Sequence, residues 1–227
     1  MKQLLGIVLS LTLFGCAKLP VGGGIPTTKR VTFSFTMQTA INQNFVYIIP
    51  LRPSALSNPP DQGPVPVVAP PWGNGFVSGN VNYFVKWDFT QLPQSQCEIF
   101  QFADANLINY FAIGVPISFS QTPDGKTLMF QLDLAQIAPD ATTAESYQSV
   151  QVNFLTMDHV PQGSTGSKTW DALGDSRLPS QINTWVTIPL RTSGTYTNSS
   201  TGFIEPTGDC ADPALDIADW LIQVAAQ

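Results

Sequence analysis

The sequence predicts an all-β fold, a single antiparallel β-sandwich of about 8 to 10 strands. Three observations predict it. Short segments alternate apolar and polar residues with a period of two, as half-buried strands do. Glycines and prolines, 17 and 19 of them, punctuate the chain as turns and breaks. The 227 residues are 43% apolar and 11% aromatic, enough to build a core and too much for a disordered chain. Only 11% are charged, under half of the usual share of about 25%. The apolar residues are scattered, which excludes a multi-span membrane protein. A net charge of −6 argues against nucleic acid as a partner.

Each element has its own signal. Residues 31–37 (VTFSFTM) alternate over seven positions and read as the first strand. Residues 45–49 follow the turn-like Asn42-Gln43-Asn44 and read as its antiparallel partner. Residues 53–80 form a long insertion with seven prolines, ending in Pro70-Pro71-Trp72-Gly73-Asn74-Gly75-Phe76. A loop of that length is functional or disordered; its aromatic end indicates packing, and its prolines suit it to protecting a sheet edge. Residues 81–89 and 97–102 read as strands, and residues 106–110 as a turn or short helical piece. Residues 115–120 and 126–132 flank Thr122-Pro123-Asp124-Gly125, strong hairpin chemistry. Residues 133–137 suit one helical turn before Pro139, and residues 149–156 (SVQVNFLT) a strand. Residues 158–179 form a second long loop, acidic at its end, and residues 182–190 a strand that Pro189 ends or puts at an edge. Residues 216–224 fit both a helical stripe and a strand; the sandwich architecture favours the strand.

The N-terminus carries an address. A short basic start precedes an apolar run of about 11 residues, too short to cross ~30 Å of hydrocarbon and suited to a signal peptide. It ends in Leu13-Phe14-Gly15-Cys16, which resembles the lipobox of bacterial lipoproteins. That resemblance implies a signal peptide over residues 1–15, cleavage before Cys16, and acyl chains such as palmitate on Cys16. A Gly/Pro-rich, lipid-anchored tether then spans residues 16–29, and the sandwich domain spans residues 30–227. Lys2 leaves with the leader and the net charge falls from −6 to −7, so the lipid, not surface charge, supplies the contact with the membrane. The implied location is the cell envelope, outside the cytoplasmic membrane. Ala17 and Lys18 lack a retaining aspartate, which implies the outer membrane in a source with two membranes.

Two cysteines remain, Cys97 and Cys210, an even count in an oxidising compartment. A disulfide between them is expected; in the chain-entropy model it would stabilise the fold by about 5 kcal/mol.

A wider resemblance rests on residues 63–75 (GPVPVVAPPWGNG), 130–134 (FQLDL), 152–154 (VNF), 170–175 (WDALGD) and 212–217 (DPALDI). Their order resembles a group of uncharacterised secreted or lipid-anchored bacterial proteins, which implies no activity. The alternating strands and acidic loop also resemble DOMON-like and family-9-carbohydrate-module-like sandwiches at the level of fold. The haem of DOMON modules is not implied here, because no motif aligns His159 with Met157 as axial ligands.

Catalytic signals are weak. His159 is the sole histidine and no G-x-S-x-G elbow accompanies it, so a hydrolase triad has no support. The three glutamates, Glu98, Glu145 and Glu205, sit in no glycosidase-like setting. The expectation is therefore a non-enzymatic protein with a binding or envelope-structural role. The alternative is a carbohydrate-binding-module-like glycan binder stacking sugars on Trp72, Trp170 and Trp185; a hydrolase is disfavoured. Envelope protein and glycan are the partner classes beyond the membrane. No cofactor is implied except a structural calcium. Residues 171–219 hold seven acids against Arg177 and Arg191, and Asp171, Asp175, Asp209, Asp212 and Asp216 are the candidate ligands.

Overall fold

The computed structural model describes residues 29–201 and 205–226. Cys16, the leader and nearly all of the tether lie outside the described residues. The strands, in chain order, are β1 (Lys29–Met37), β2 (Val46–Ser54), β3 (Pro64–Pro66), β4 (Val77–Gly79), β5 (Tyr83–Trp87), β6 (Cys97–Phe102), β7 (Tyr110–Gly114), β8 (Ser118–Gln121), β9 (Thr127–Asp133), β10 (Ser149–Val152), β11 (Leu155–Met157), β12 (Trp170–Ala172), β13 (Val186–Pro189), β14 (Gly194–Thr197) and β15 (Ile217–Ala226). One short helix, α1 (Ala141–Ser146), follows a 3₁₀ turn at Leu134–Ile137.

Two antiparallel sheets pack face to face as a sandwich. The first has the order β14-β15-β1-β9-β8. The second has the order β12-β11-β2-β5-β6-β7, with β10 also paired to β2 and β13 to β10. Val31, Phe33 and Phe35 of β1 lie opposite Val224, Ile222 and Trp220 of β15, so residues 217–226 are a strand and not a helix. The expected hairpin around Pro123-Asp124-Gly125 is present as β8–β9, with Gly125 at a positive φ of 73°.

Two expectations fail in instructive ways. Residues 31–37 and 45–49 do not pair with each other. β1 belongs to the first sheet and β2 to the second, and Phe35 meets Tyr47 across the core at 6.4 Å. Each strand offers an apolar face, and facing one another across the sandwich buries both. The run 149–156 is two strands, β10 and β11, which pair with opposite halves of β2. The break falls opposite Pro50, whose carbonyl accepts from Asn153 N and which has no N–H to return. Asn153 repairs the break: its Nδ2 donates to Pro64 O and Thr184 O, and its Oδ1 accepts from Phe154 N and Leu173 N. All four hydrogen-bonding positions of a fully buried amide are thereby used.

The proline-rich insertion covers a sheet face and not an edge. It forms the small β3–β4 sheet, and Phe76, Val77 and Val81 pack on Ile48, Phe84, Leu155 and Met157 as a second core outside the second sheet. This makes β2 buried on both sides: Tyr47, Ile49 and Leu51 face the main core and Ile48 the second. The strand total exceeds the expected 8 to 10 because the insertion, the 158–179 loop and the split strand add short ones, as do β7, just past the segment read as a turn, and β14.

The Cys97–Cys210 disulfide is not formed; both thiols are free. Cys97 is fully buried in the main core on β6, where burial pushes its pKa up. Cys210 sits in the acidic C-terminal loop, and its Sγ donates to Trp170 O at 3.4 Å. An even count of cysteines does not by itself bring them together; topology separates these two.

Candidate functional site

Two places concentrate polar groups. The first is an acidic centre where β12, the residues 205–210 and the entry to β15 meet. Asp171 is central on β12; its Oδ1 accepts from Ala172 N and its Oδ2 from Ile217 N at 2.7 Å, which links the two sheets. Asp216 precedes β15 and accepts from Gly208 N with both oxygens and from Cys210 N. Asp209 Oδ2 accepts from Ser176 N at 2.7 Å, and Glu205 Oε2 accepts from Gly174 N at 2.7 Å. All four carboxylates are buried, Asp216 fully and Glu205 to 2% exposure. Carboxylate oxygens of Asp171, Asp209 and Asp216 lie within 4.8 Å of one another.

The electrostatics follow from that crowding. Burial, then the charge of Asp209, pushes the Asp171 pKa up to about 8 against the pull of its two amide donors. Burial, then the charge of Asp171, pushes Glu205 up to about 10. Asp209 is raised by burial and by the facing Asp216 carboxyl. Burial pushes the Cys210 thiol up to about 12, so it stays protonated beside these acids. Among the described residues no cation enters the centre. Arg177 lies at its rim, where its Nε and Nη2 donate to Asp175 at 2.7 Å.

The structure thus sorts the five expected calcium ligands. It brings Asp171, Asp209 and Asp216 together. Asp175 turns outward to Arg177, and Asp212 caps a turn by accepting from Ala214 N. Glu205, which sequence reading left out of the ligand set, joins the centre. The only signal for it was its place among the seven clustered acids.

The second place is a cleft of about 600 Å³ at the end of the second sheet. Arg52 and Ser54 of β2, Asn80 and Asn82 before β5, and Phe102 and Asp104 at the end of β6 line it. Gly79, at φ +81°, closes one wall so tightly against the Gly63 carbonyl that a Cβ has no room. Leu107, also in the lining, is the one described non-glycine residue at positive φ, 58°. Its side chain is held there by packing into the second core.

The three tryptophans do not form a sugar-stacking strip. Trp72 is buried, its Nε1 donates to Thr165 O, and Lys168 Nζ lies 5.5 Å from its ring centroid. Trp170 and Trp185 are only partly exposed; Trp170 packs on the second core and Trp185 lies against Gly63. Large rings serve this chain as packing more than as display. His159 is exposed; its backbone N–H donates to Asp158 Oδ1 at 2.8 Å, and its Nδ1 lies 2.9 Å from the same oxygen. Among the described residues no serine hydroxyl bonds to it. No family model, curated protein or solved structure matches the chain.

Proposed function

We propose that this chain is a lipid-anchored β-sandwich protein, held outside the cytoplasmic membrane, whose role is non-enzymatic binding. The cleft between β2, β5 and β6 carries the reading. Its size falls in the range of sites that enclose small ligands. Its wall mixes amides, a hydroxyl and both signs of charge, suited to recognition. A glycan is the favoured ligand, because Asn80, Asn82 and Ser54 offer donors and acceptors to sugar hydroxyls. Trp72, Trp170 and Trp185 are replaced in that reading by the cleft residues.

The ligand is tested by screening the detergent-solubilised full chain on an array of bacterial envelope glycans. Asn82→Ala should weaken any hit about tenfold, the worth of one good hydrogen bond. Its melting temperature should stay near wild type, because Asn82 is exposed. No hit above background, or a hit indifferent to Asn82, rejects the glycan.

The anchor is tested separately. Cys16→Ala should leave an unprocessed precursor that takes up no labelled palmitate. A variant still processed and still labelled would mean that Leu13-Phe14-Gly15-Cys16 is not a lipidation signal.

A further inference from the structure

We propose that Asp171, Asp209 and Asp216, with Glu205 beside them, hold one calcium ion, which staples β12 in the second sheet to the entry of β15 in the first. Geometry is the first support. Ligands on opposite sides of a calcium ion are about 4.6–5.2 Å apart, twice the metal–oxygen distance. Oxygens of Asp171, Asp209 and Asp216 already lie within 4.8 Å of one another, inside a single coordination shell.

The second support is independent of the clustering. Glu205 Oε1 and Asp209 Oδ1 are shut off from solvent and have no hydrogen-bond partner among the described residues. A buried carboxylate oxygen with no donor is among the costliest groups a fold can carry. In each of these side chains the other oxygen is already used, Oε2 by Gly174 N and Oδ2 by Ser176 N. The amides orient the carboxylates and leave one oxygen of each without a donor. A cation supplies the missing partner and offsets the mutual repulsion of carboxylates held this close.

The donor set selects the ion. It contains only carboxylate oxygens. No histidine is near, and the Cys210 thiol is turned to Trp170 O, which disfavours zinc and copper. The ligands come from three separate segments with irregular spacing, which calcium's flexible shell of six to eight oxygens tolerates and magnesium's tight octahedron does not. Water and loop carbonyls complete the shell. The ion would do for this fold what the unformed disulfide was expected to do: tie the C-terminal loop to the second sheet. The proposal does not depend on the cleft or on its ligand.

The test uses the full chain in detergent, stripped with EGTA and titrated with calcium chloride. Equilibrium dialysis should find one calcium per chain. At a hundredfold excess over Kd, the folded-to-unfolded ratio should rise about a hundredfold and the melting temperature by about 5–10 °C. Magnesium chloride at the same concentration should give little. Glu205→Gln and Asp209→Asn should abolish the response, and should melt above wild type in EGTA because the fold then holds one fewer buried, repelled carboxyl. Asp175→Asn and Asp212→Asn should keep the response. Wild-type protein that melts alike in EGTA and calcium and binds no ion overturns the proposal, and so does a full response in Glu205→Gln and Asp209→Asn. If either variant fails to fold, dialysis on the wild-type chain decides.

Discussion

Phe130→Ala should lower the stability of the domain by about 3–5 kcal/mol, the range for deleting a buried ring and leaving a cavity. Phe130 lies on β9 and is 1% exposed. Its ring stacks on Phe33 of β1 at 4.9 Å with 16° between planes. Across the sandwich it meets Trp87 of β5 at 6.4 Å, 63° from parallel. The side chain therefore belongs to both the pairing within one sheet and the contact between sheets. Alanine loses the transfer energy of the ring, leaves Phe33 without its stacked neighbour and opens a void that rigid strands cannot close. Domains of this size are stable by about 5–15 kcal/mol, so the loss is a large part of the total. Phe119 on edge strand β8 is the comparison. It touches Trp87 edge-on at 5.7 Å but is only partly buried, so Phe119→Ala should cost markedly less. Urea unfolding checks both. A cost below about 1 kcal/mol for Phe130→Ala would mean that the two sheets do not share this core.

What was legible in the sequence divides along a physical line. Period-two alternation marks strands with one face in water, so β1 could be read directly from Val31-Thr32-Phe33-Ser34-Phe35, whereas the residues of β15 fitted a helical stripe as well and only the sandwich architecture decided for a strand. Pro123-Asp124-Gly125 marked the hairpin because a tight turn is local chemistry. Pairing across long sequence separations is not local. The partner of β2 could not be read from Asn42-Gln43-Asn44, since a turn-like spacer serves equally well to cross between sheets. The second core was hidden for a related reason. Tyr47-Ile48-Ile49 has no polar member, but its double burial becomes visible only once the insertion folds back on it. The acidic centre was half legible. The density of acids between residues 171 and 219 announced it, but Asp171 and Asp175 look alike in sequence. β12 turns Asp171 inward to Ile217 N, while Arg177 takes Asp175 outward. Glu205 enters only through its contact with Gly174, 31 residues away. Cys97 and Cys210 could be counted but not placed.

Without calcium, stability should fall as pH rises from about 5 to 8, the reverse of ordinary acid denaturation. The cause is that the unfolded chain ionises its acids first. Asp171 has an ordinary pKa of 3.8 and is held up to about 8 in the fold, and Glu205 goes from 4.5 to about 10. For an acid raised on folding, the contribution to stability is fully present below the unfolded pKa and is lost as pH climbs to the folded one. The groups facing Asp171 and Glu205 are Asp209 and Asp216, with the Cys210 thiol, protonated until about 12, and Arg177 at the rim beside Asp175. None of these supplies a buried positive charge to reverse the trend. A tenfold difference in proton affinity between fold and unfolded chain is worth about 1.4 kcal/mol, so Asp171 alone accounts for roughly 3 kcal/mol of loss between pH 5 and pH 8. The loss from Glu205 does not simply add, because each carboxylate is raised partly by the other acids' charge. Denaturant midpoints in EGTA at pH 5, 6.5 and 8 should descend in that order, and Glu205→Gln should flatten the series. Saturating calcium should remove most of the slope, because the ion competes with protons for the same oxygens. Midpoints in EGTA that rise from pH 5 to pH 8 would mean that these carboxylates do not face one another inside the fold.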